Sequence, residues 1–147
     1  MKFGVDFVGV AVVFYCHDGE GNVFLSKRGG KSKNELGRWD IGGGKLEFGE
    51  RAEDAVVREI KEEYLTDVVE QEFLGYRDVF VEYEGKGNHW IALDFKVRVE
   101  RDKAGNGEPH KFDEVGWFAE SSFPAPLHSQ LPAFLSKYAN RLYNKGS

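Results

Sequence analysis

A single cysteine in 147 residues leaves little covalent chemistry to hold or work a fold. Cys16 has no partner for an intrachain disulfide, and a multi-cysteine zinc site is excluded. It closes the apolar run VGVAVVFYC, where it reads as a buried, inert thiol. The four histidines, His17, His89, His110 and His128, lack metal-ligand spacing. No apolar stretch approaches the roughly 20 residues of a membrane-spanning helix. Asp6 interrupts the opening run, so no signal peptide is read there. A basic block is missing too, and the formal charge of -5 argues against nonspecific binding of a nucleic-acid polymer. A small phosphorylated ligand stays compatible, given a metal or local cations between the anions. The expectation is a cytoplasmic enzyme or binding domain.

What is present describes an ordinary globular chain, 41% hydrophobic and 31% charged, with length for one domain over residues 1–147. VDFVGVAVVFYC reads as a strand, HDGEGN as a turn, and NVFLSKR as the strand's hairpin partner. The polar loop GGKSKNELGR leads to the short WDI and a flexible glycine turn. From Arg51 to Tyr64 the period becomes helical, with Ala52, Ala55, Val56 and Ile60 on one face. EFLGYRDVFVEY and HWIALDFKVRVE are strands joined by EGKGN, RDKAGNGEPHKF is loop, and EVGWFA is a last short strand. Leu131, Phe134, Leu135, Tyr138 and Leu142 predict one C-terminal amphipathic helix. This pattern gives a layered α/β or α+β domain: a mixed central sheet flanked by helices.

The stretch GGGKLEFGERAEDAVVREIKEEYL carries the chemistry. Glu59, Glu62 and Glu63 are related by three- and four-residue steps, so they share a helix face. Like charges repel at that spacing, and the macrodipole disfavours anions near a helix C-terminus. Taken alone, REIKEE also suits a solvated face diluted by Arg58 and Lys61. The glycines alter the balance, because they let main-chain carbonyls approach an ion closely. Carboxylates and carbonyls on one helix edge are the hard oxygen donors that magnesium takes, at about 2.1 Å. Such a cation would offset the repulsion and draw a polyphosphate into an acidic cleft.

Gly44, five residues, Glu50, seven residues, then Arg58-Glu59-Ile60, Lys61 and Glu62-Glu63 resembles the signature of Nudix hydrolases, the MutT-like family. That signature is G-x5-E-x7-R-E-U-x-E-E-x-G-U, with U a bulky aliphatic residue. The resemblance implies an α/β/α sandwich and hydrolysis of a nucleoside diphosphate linked to a group X, with magnesium or manganese. It implies Glu59, Glu62 and Glu63 as metal ligands, joined by a backbone carbonyl of Gly43 or Gly44. Glu50 and Arg58 are expected to pair and organise the site. A homodimer is compatible with the family. Three departures stand out: Leu65 replaces the final glycine, Thr66 an aliphatic residue, and Gly42 a position often held by proline. Without its usual left-handed stop, the helix is expected to end differently.

The general base is open among Glu62 inside the signature and Glu114, Glu108 or His110 outside it. Lys27 and Arg28 end a strand aimed at the glycines and are candidate phosphate contacts, or plain exposed strand-end cations. Trp117 is a candidate for stacking on a base, beside the reading of Trp117 and Phe118 as core aromatics. Neither a P-loop nor a dinucleotide-binding G-x-G-x-x-G pattern is present. The expected substrate is a nucleoside triphosphate, oxidised forms included. ADP-ribose, nucleotide sugars and dinucleotide polyphosphates are the alternatives. A sensor module that binds without cleaving would be expected to lose the signature's carboxylates, which this chain keeps.

Overall fold

Apolar alternation builds the centre of the sheet. In the computed structural model, which describes residues 1–32 and 34–143, the run GVAVVFYCH forms β1, Gly9–His17. Val12, Phe14 and Cys16 point into one core layer, Val13 and Tyr15 into the other. β1 starts later than the sequence suggested, since residues 4–6 form a turn. After β2 (Asn22–Arg28), β3 (Trp39–Asp40) and β4 (Gly42–Lys45) comes α1, Ala52–Tyr64. β5 (Val68–Tyr83) and β6 (Lys86–Val99) form a long hairpin; β7 is Phe112–Ala119, and α2 (Leu131–Lys137) and α3 (Ala139–Leu142) follow. The seven strands form one mixed sheet ordered β3-β2-β1-β6-β5, with β4 also on β1 and β7 on β2. β1 runs parallel to β6, from Gly9 opposite Trp90 to His17 opposite Arg98.

β2 is not the hairpin partner along its length that the sequence suggested. It meets β1 only where His17 faces Val23, then diverges and pairs with β7 from Asn22 to Arg28. β4 fills the vacated edge of β1, with Ala11 opposite Lys45 and Phe14 opposite Gly42. The glycines read as a turn are therefore a strand, and none of Gly42, Gly43 and Gly44 has a positive φ. Their small size serves close approach.

Helices cover both faces, an α/β/α sandwich of the α+β class. Val56, Ile60 and Tyr64 of α1 pack on Phe14, Phe24 and Val97. Leu131, Phe134 and Leu142 pack on Tyr15, Leu25 and Leu74. The single C-terminal helix expected from periodicity is broken at Tyr138, with φ -111° and ψ 17°. The Tyr138 hydroxyl donates to Asp94 Oδ2 at 2.7 Å, and Asp94, fully buried, is also clamped by Arg77 at 2.7 and 2.9 Å. A buried carboxylate needs such partners, and meeting them sets the break. No helix of the described residues is long and apolar enough to cross a membrane.

The end of α1 corrects the expectation about Leu65. Leu65 itself takes the left-handed conformation, φ 62° and ψ 6°, and its N–H donates to the Lys61 carbonyl. The stop is kept without the glycine. Left-handed geometry costs a non-glycine residue about 1–2 kcal/mol. Since Leu65 is half exposed, Leu65→Gly loses little burial and is expected to stabilise the fold by about 1 kcal/mol. The urea midpoint should rise at unchanged m-value; a lower midpoint would contradict the strain account.

Candidate functional site

The site grows from the contact of α1 with β4. The apolar stripe of α1 seats on the sheet, and this turns Glu59 and Glu63 towards the glycine strand. A Cβ on Gly44 would fall inside the Glu59 carboxyl group. One on Gly42 would strike the Phe14 ring and lie 2.9 Å from Glu63 Oε1, and one on Gly43 would lie 2.9 Å from the Val12 carbonyl. Three glycines in a row thus let two carboxylates press against the main chain.

Arg58 holds the cluster. Its guanidinium donates to Glu50 at 2.7 and 2.9 Å, to Glu59 at 2.9 Å, to the Lys45 carbonyl at 3.2 Å and to Glu62 at 3.5 Å. This two-pronged grip on Glu50 holds its carboxyl below the usual range and ties the 46–50 segment to the helix. Glu59 is raised, because desolvation outweighs Arg58. Glu63 is the extreme case: 2% exposed, with only long contacts to the Gly43 N–H at 3.4 Å and Lys111 Nζ at 3.5 Å. Desolvation pushes its pKa up to about 8. Beyond Glu63 a cavity of about 250 Å³ opens, floored by Gly42–Gly44 and walled by Arg28, Asp40, Trp90, His128 and Phe134.

The family model described as the NUDIX domain matches residues 7–138. The chain belongs to the Nudix family. Its structure is similar to that of a MutT NUDIX hydrolase from Burkholderia pseudomallei, at TM-score 0.77 and 28% identity, covering 88% of this chain and 97% of that one. The MutT protein of Methanosarcina mazei Go1 has the same fold at TM-score 0.75 and 20% identity, covering 90% and 94%. So does the NUDIX domain of Shewanella oneidensis NrtR, complexed with ADP ribose, at TM-score 0.72 and 17% identity, covering 92% and 88%.

Around the Nudix signature the structure gathers Glu50, Arg58, Glu59, Glu62, Glu63, Gly43 and Gly44 in one cluster. Glu62 lies at its rim, 51% exposed, against Arg58. Arg28 borders the cavity, gripping Asn34 through the carbonyl at 2.9 Å and Oδ1 at 3.0 Å. Lys27 stands opposite Glu114 in the β2–β7 ladder, and neither borders the cavity. Glu108 pairs with Lys111 at 3.5 Å, and His110 is exposed, its carbonyl accepting from the Lys31 N–H. Trp117 packs in the core layer under α1, 5.1 Å from Phe24, with Arg101 5.0 Å over its ring.

Sequence reasoning missed Lys111, Asp40 and His128. Lys111 lies in a stretch read as loop, without periodicity to mark it. Asp40 had a signal, a carboxylate between Trp39 and Ile41, which are both buried. Desolvation in the cavity pushes its pKa up to about 7. His128 Nε2 lies 2.8 Å from Glu35, and burial lowers the pKa of the imidazole. The 101–111 segment also does more than connect: the Gly105 and Gly107 N–H groups donate to the Tyr64 and Glu63 carbonyls at 2.9 and 2.8 Å. These bonds close the helix end behind the carboxylates.

A divalent ion is tested by the donors present. Among the described residues, no group of three His, Cys, Asp or Glu side chains stands placed to hold a metal. Arg58 draws Glu59 and Glu62 to itself. The donor types nonetheless suit a hard cation, being carboxylates and strand carbonyls only. Burial raises both Glu63 and Glu59 by stripping water from their carboxyl groups, a loss that a bound cation would offset.

Proposed function

We propose that this Nudix hydrolase is a magnesium-dependent pyrophosphohydrolase that cleaves a nucleoside diphosphate linked to X. Its substrate on this reading is a nucleoside triphosphate, oxidised forms included, released as monophosphate and pyrophosphate. The observation that carries the proposal is the buried Glu63 carboxyl group, which has only long polar contacts and lines a cavity of nucleobase size. Glu59, Glu62 and Glu63 would hold magnesium or manganese, with a carbonyl of Gly43 or Gly44. The ion's contribution is to neutralise phosphate charge and acidify a water.

The protein's own part is placement. Arg58 and Glu50 fix the helix against the strand and keep the carboxylates in register. Lys111 supplies the positive charge nearest Glu63. Asp40, His128 and Gln130 offer polar groups in the cavity, while Trp90 and Phe134 offer apolar walls for the nucleoside end. Glu62, exposed and in contact with Arg58 in the carboxylate cluster, is better placed than Glu114 to take a proton from water, because Glu114 lies opposite Lys27 in the β2–β7 ladder, outside that cluster. Its substitution by glutamine is expected to lower kcat about a hundredfold or more.

A nucleotide panel with magnesium and resolved products tests the reading. Expected is monophosphate plus pyrophosphate from triphosphates. Binding of every nucleotide without turnover would overturn it in favour of a sensor.

A further inference from the structure

The cavity beside Glu63 holds a largely buried cation with no part in the chemistry above. Arg77, on β5, lines it with its side chain 12% exposed. A guanidinium carries five N–H donors in a fixed plane. Nε and Nη2 donate to Asp94 Oδ2 and Oδ1 at 2.7 and 2.9 Å, and among the described residues Arg77 pairs with no other acid. Its outer edge, Nη1 with the second hydrogen of Nη2, has no partner there. Asp40, in the same cavity, is also half used. Its Oδ1 accepts the Ile41 N–H at 2.8 Å, while Oδ2 stands 3.9 Å from His128 Nε2. Neither free edge is sealed in. Among the described residues, the buried side-chain polar atoms without a partner are Tyr15 Oη and Gln71 Oε1.

Arg77 is held in place from two sides. Asp94 is fully buried and accepts from the Tyr138 hydroxyl at 2.7 Å, and the Phe134 ring lies 5.3 Å from the guanidinium carbon, over one face of its plane. Such a buried ion pair adds little stability over apolar packing of the same volume, so stability is a weak reason for it to be there. Beside it the sheet forms a platform. The register runs Arg77, Ala92, Ala11, Lys45 across β5, β6, β1 and β4. Opposed residues share a face, so two methyl groups floor the space between Arg77 and the glycine strand, about 14 Å at three strand spacings.

We infer that Arg77 selects the base of the substrate: its outer edge donates to two neighbouring ring acceptors, O6 and N7 of a 6-oxopurine such as guanine, while Asp40 Oδ2 accepts from the N–H side of the same ring. The inference rests on the hydrolase reading above and narrows its nucleoside triphosphate to one class of base. A planar arginine fork matches the O6 and N7 pair of guanine in spacing and direction. Adenine keeps N7 but carries an amino group at position 6, which sets donor against donor. Cytosine also has adjacent acceptors, O2 and N3, yet O2 adjoins the sugar and one amino group is all it offers Asp40; guanine offers N1–H and its 2-amino group. A guanine oxidised at C8 keeps O6 and gains a hydrogen on N7, so it is accepted with one of the two bonds lost.

The test uses the full chain with magnesium at about pH 8.5, above the value of about 7 to which Asp40 is raised. GTP should exceed ATP and CTP in kcat/KM about tenfold or more. 7-Deaza-GTP lacks the N7 acceptor and 8-oxo-GTP turns it into a donor, so each should fall about fivefold below GTP, chiefly through KM. Arg77→Lys keeps the charge beside Asp94 and removes the fork, and the GTP/ATP ratio should drop to within about threefold of one. A residue that only supported the fold would instead lower all nucleotides together. Should the variant fail to fold, the 7-deaza-GTP comparison on the wild type decides alone. Equal kcat/KM for GTP and ATP or for GTP and 7-deaza-GTP, a preference for CTP, or a GTP/ATP ratio that Arg77→Lys keeps, overturns the inference and leaves the hydrolase standing. If no nucleotide is hydrolysed, Kd is measured by calorimetry for GMP and AMP without metal. GMP bound about tenfold more tightly keeps the base selection and sinks the hydrolase; equal Kd values sink both.

Discussion

Glu63→Gln is expected to yield a protein more stable than the wild type in the absence of metal, and nearly inactive in its presence. The folded protein holds the Glu63 proton up to about pH 8, whereas the unfolded chain releases it near 4.5. Between those values the folded state binds more protons, so raising the pH through this window destabilises it. At pH 7 the penalty comes to about 3 kcal/mol. Glutamine keeps the shape and cannot ionise, so the metal-free variant should melt about 5–10 °C higher at pH 7. The gain should shrink towards nothing as the pH falls below 4.5, where Glu63 is neutral in the folded and the unfolded chain alike. Magnesium should reverse the order, since a ligand of the folded state stabilises by mass action and the variant has lost a donor for it. Outer partners of metal ligands cost about 10–100-fold when removed, and a ligand itself should cost more. Equal melting temperatures at pH 7 without metal, with turnover intact, would show that Glu63 is neither strained nor used.

How far the sequence foresaw this arrangement depends on the physics behind each signal. Periodicity placed α1 almost to the residue, because Ala55, Val56 and Ile60 repeat on one face and all are buried. It also found the apolar positions Leu131, Phe134 and Leu142, yet missed the break at Tyr138, which a buried carboxylate on another strand dictates. The register of β1 with β4 was invisible, since Gly42–Gly44 carry no side chains to alternate. Glycine composition reads as freedom; here the same residues are an extended strand whose smallness makes room for Glu59 and Glu63. Leu65 shows a converse error, in which a missing glycine suggested a missing stop. The stop survives because a backbone donor, not the side chain, closes it. Local spacing brought out the carboxylates of α1. Lys111, Asp40 and His128 join them from three distant segments, and no single-sequence pattern links such positions.

Gly44→Ala separates the two jobs a glycine can do in that strand. Gly44 has no left-handed backbone to protect, so alanine brings no dihedral strain. The new methyl would instead occupy the space of the Glu59 carboxyl, the far end of a flexible side chain. That end can swing away at small cost, and the melting temperature should stay within about 3 °C of wild type, the scale of a 1 kcal/mol change. Activity should behave otherwise. A misplacement of about 1 Å at a positioning group costs about a hundredfold, so kcat should fall by about that factor or more. The Arg58–Glu59 contact at 2.9 Å should be lost with it. Gly87→Ala is the matching control: it too lies in a strand, has no positive φ, and a Cβ there meets nothing within 4 Å. That control should leave both stability and turnover unchanged. Should Gly44→Ala keep full kcat, Glu59 would have no part in the chemistry, and the closeness of helix and strand would be packing alone.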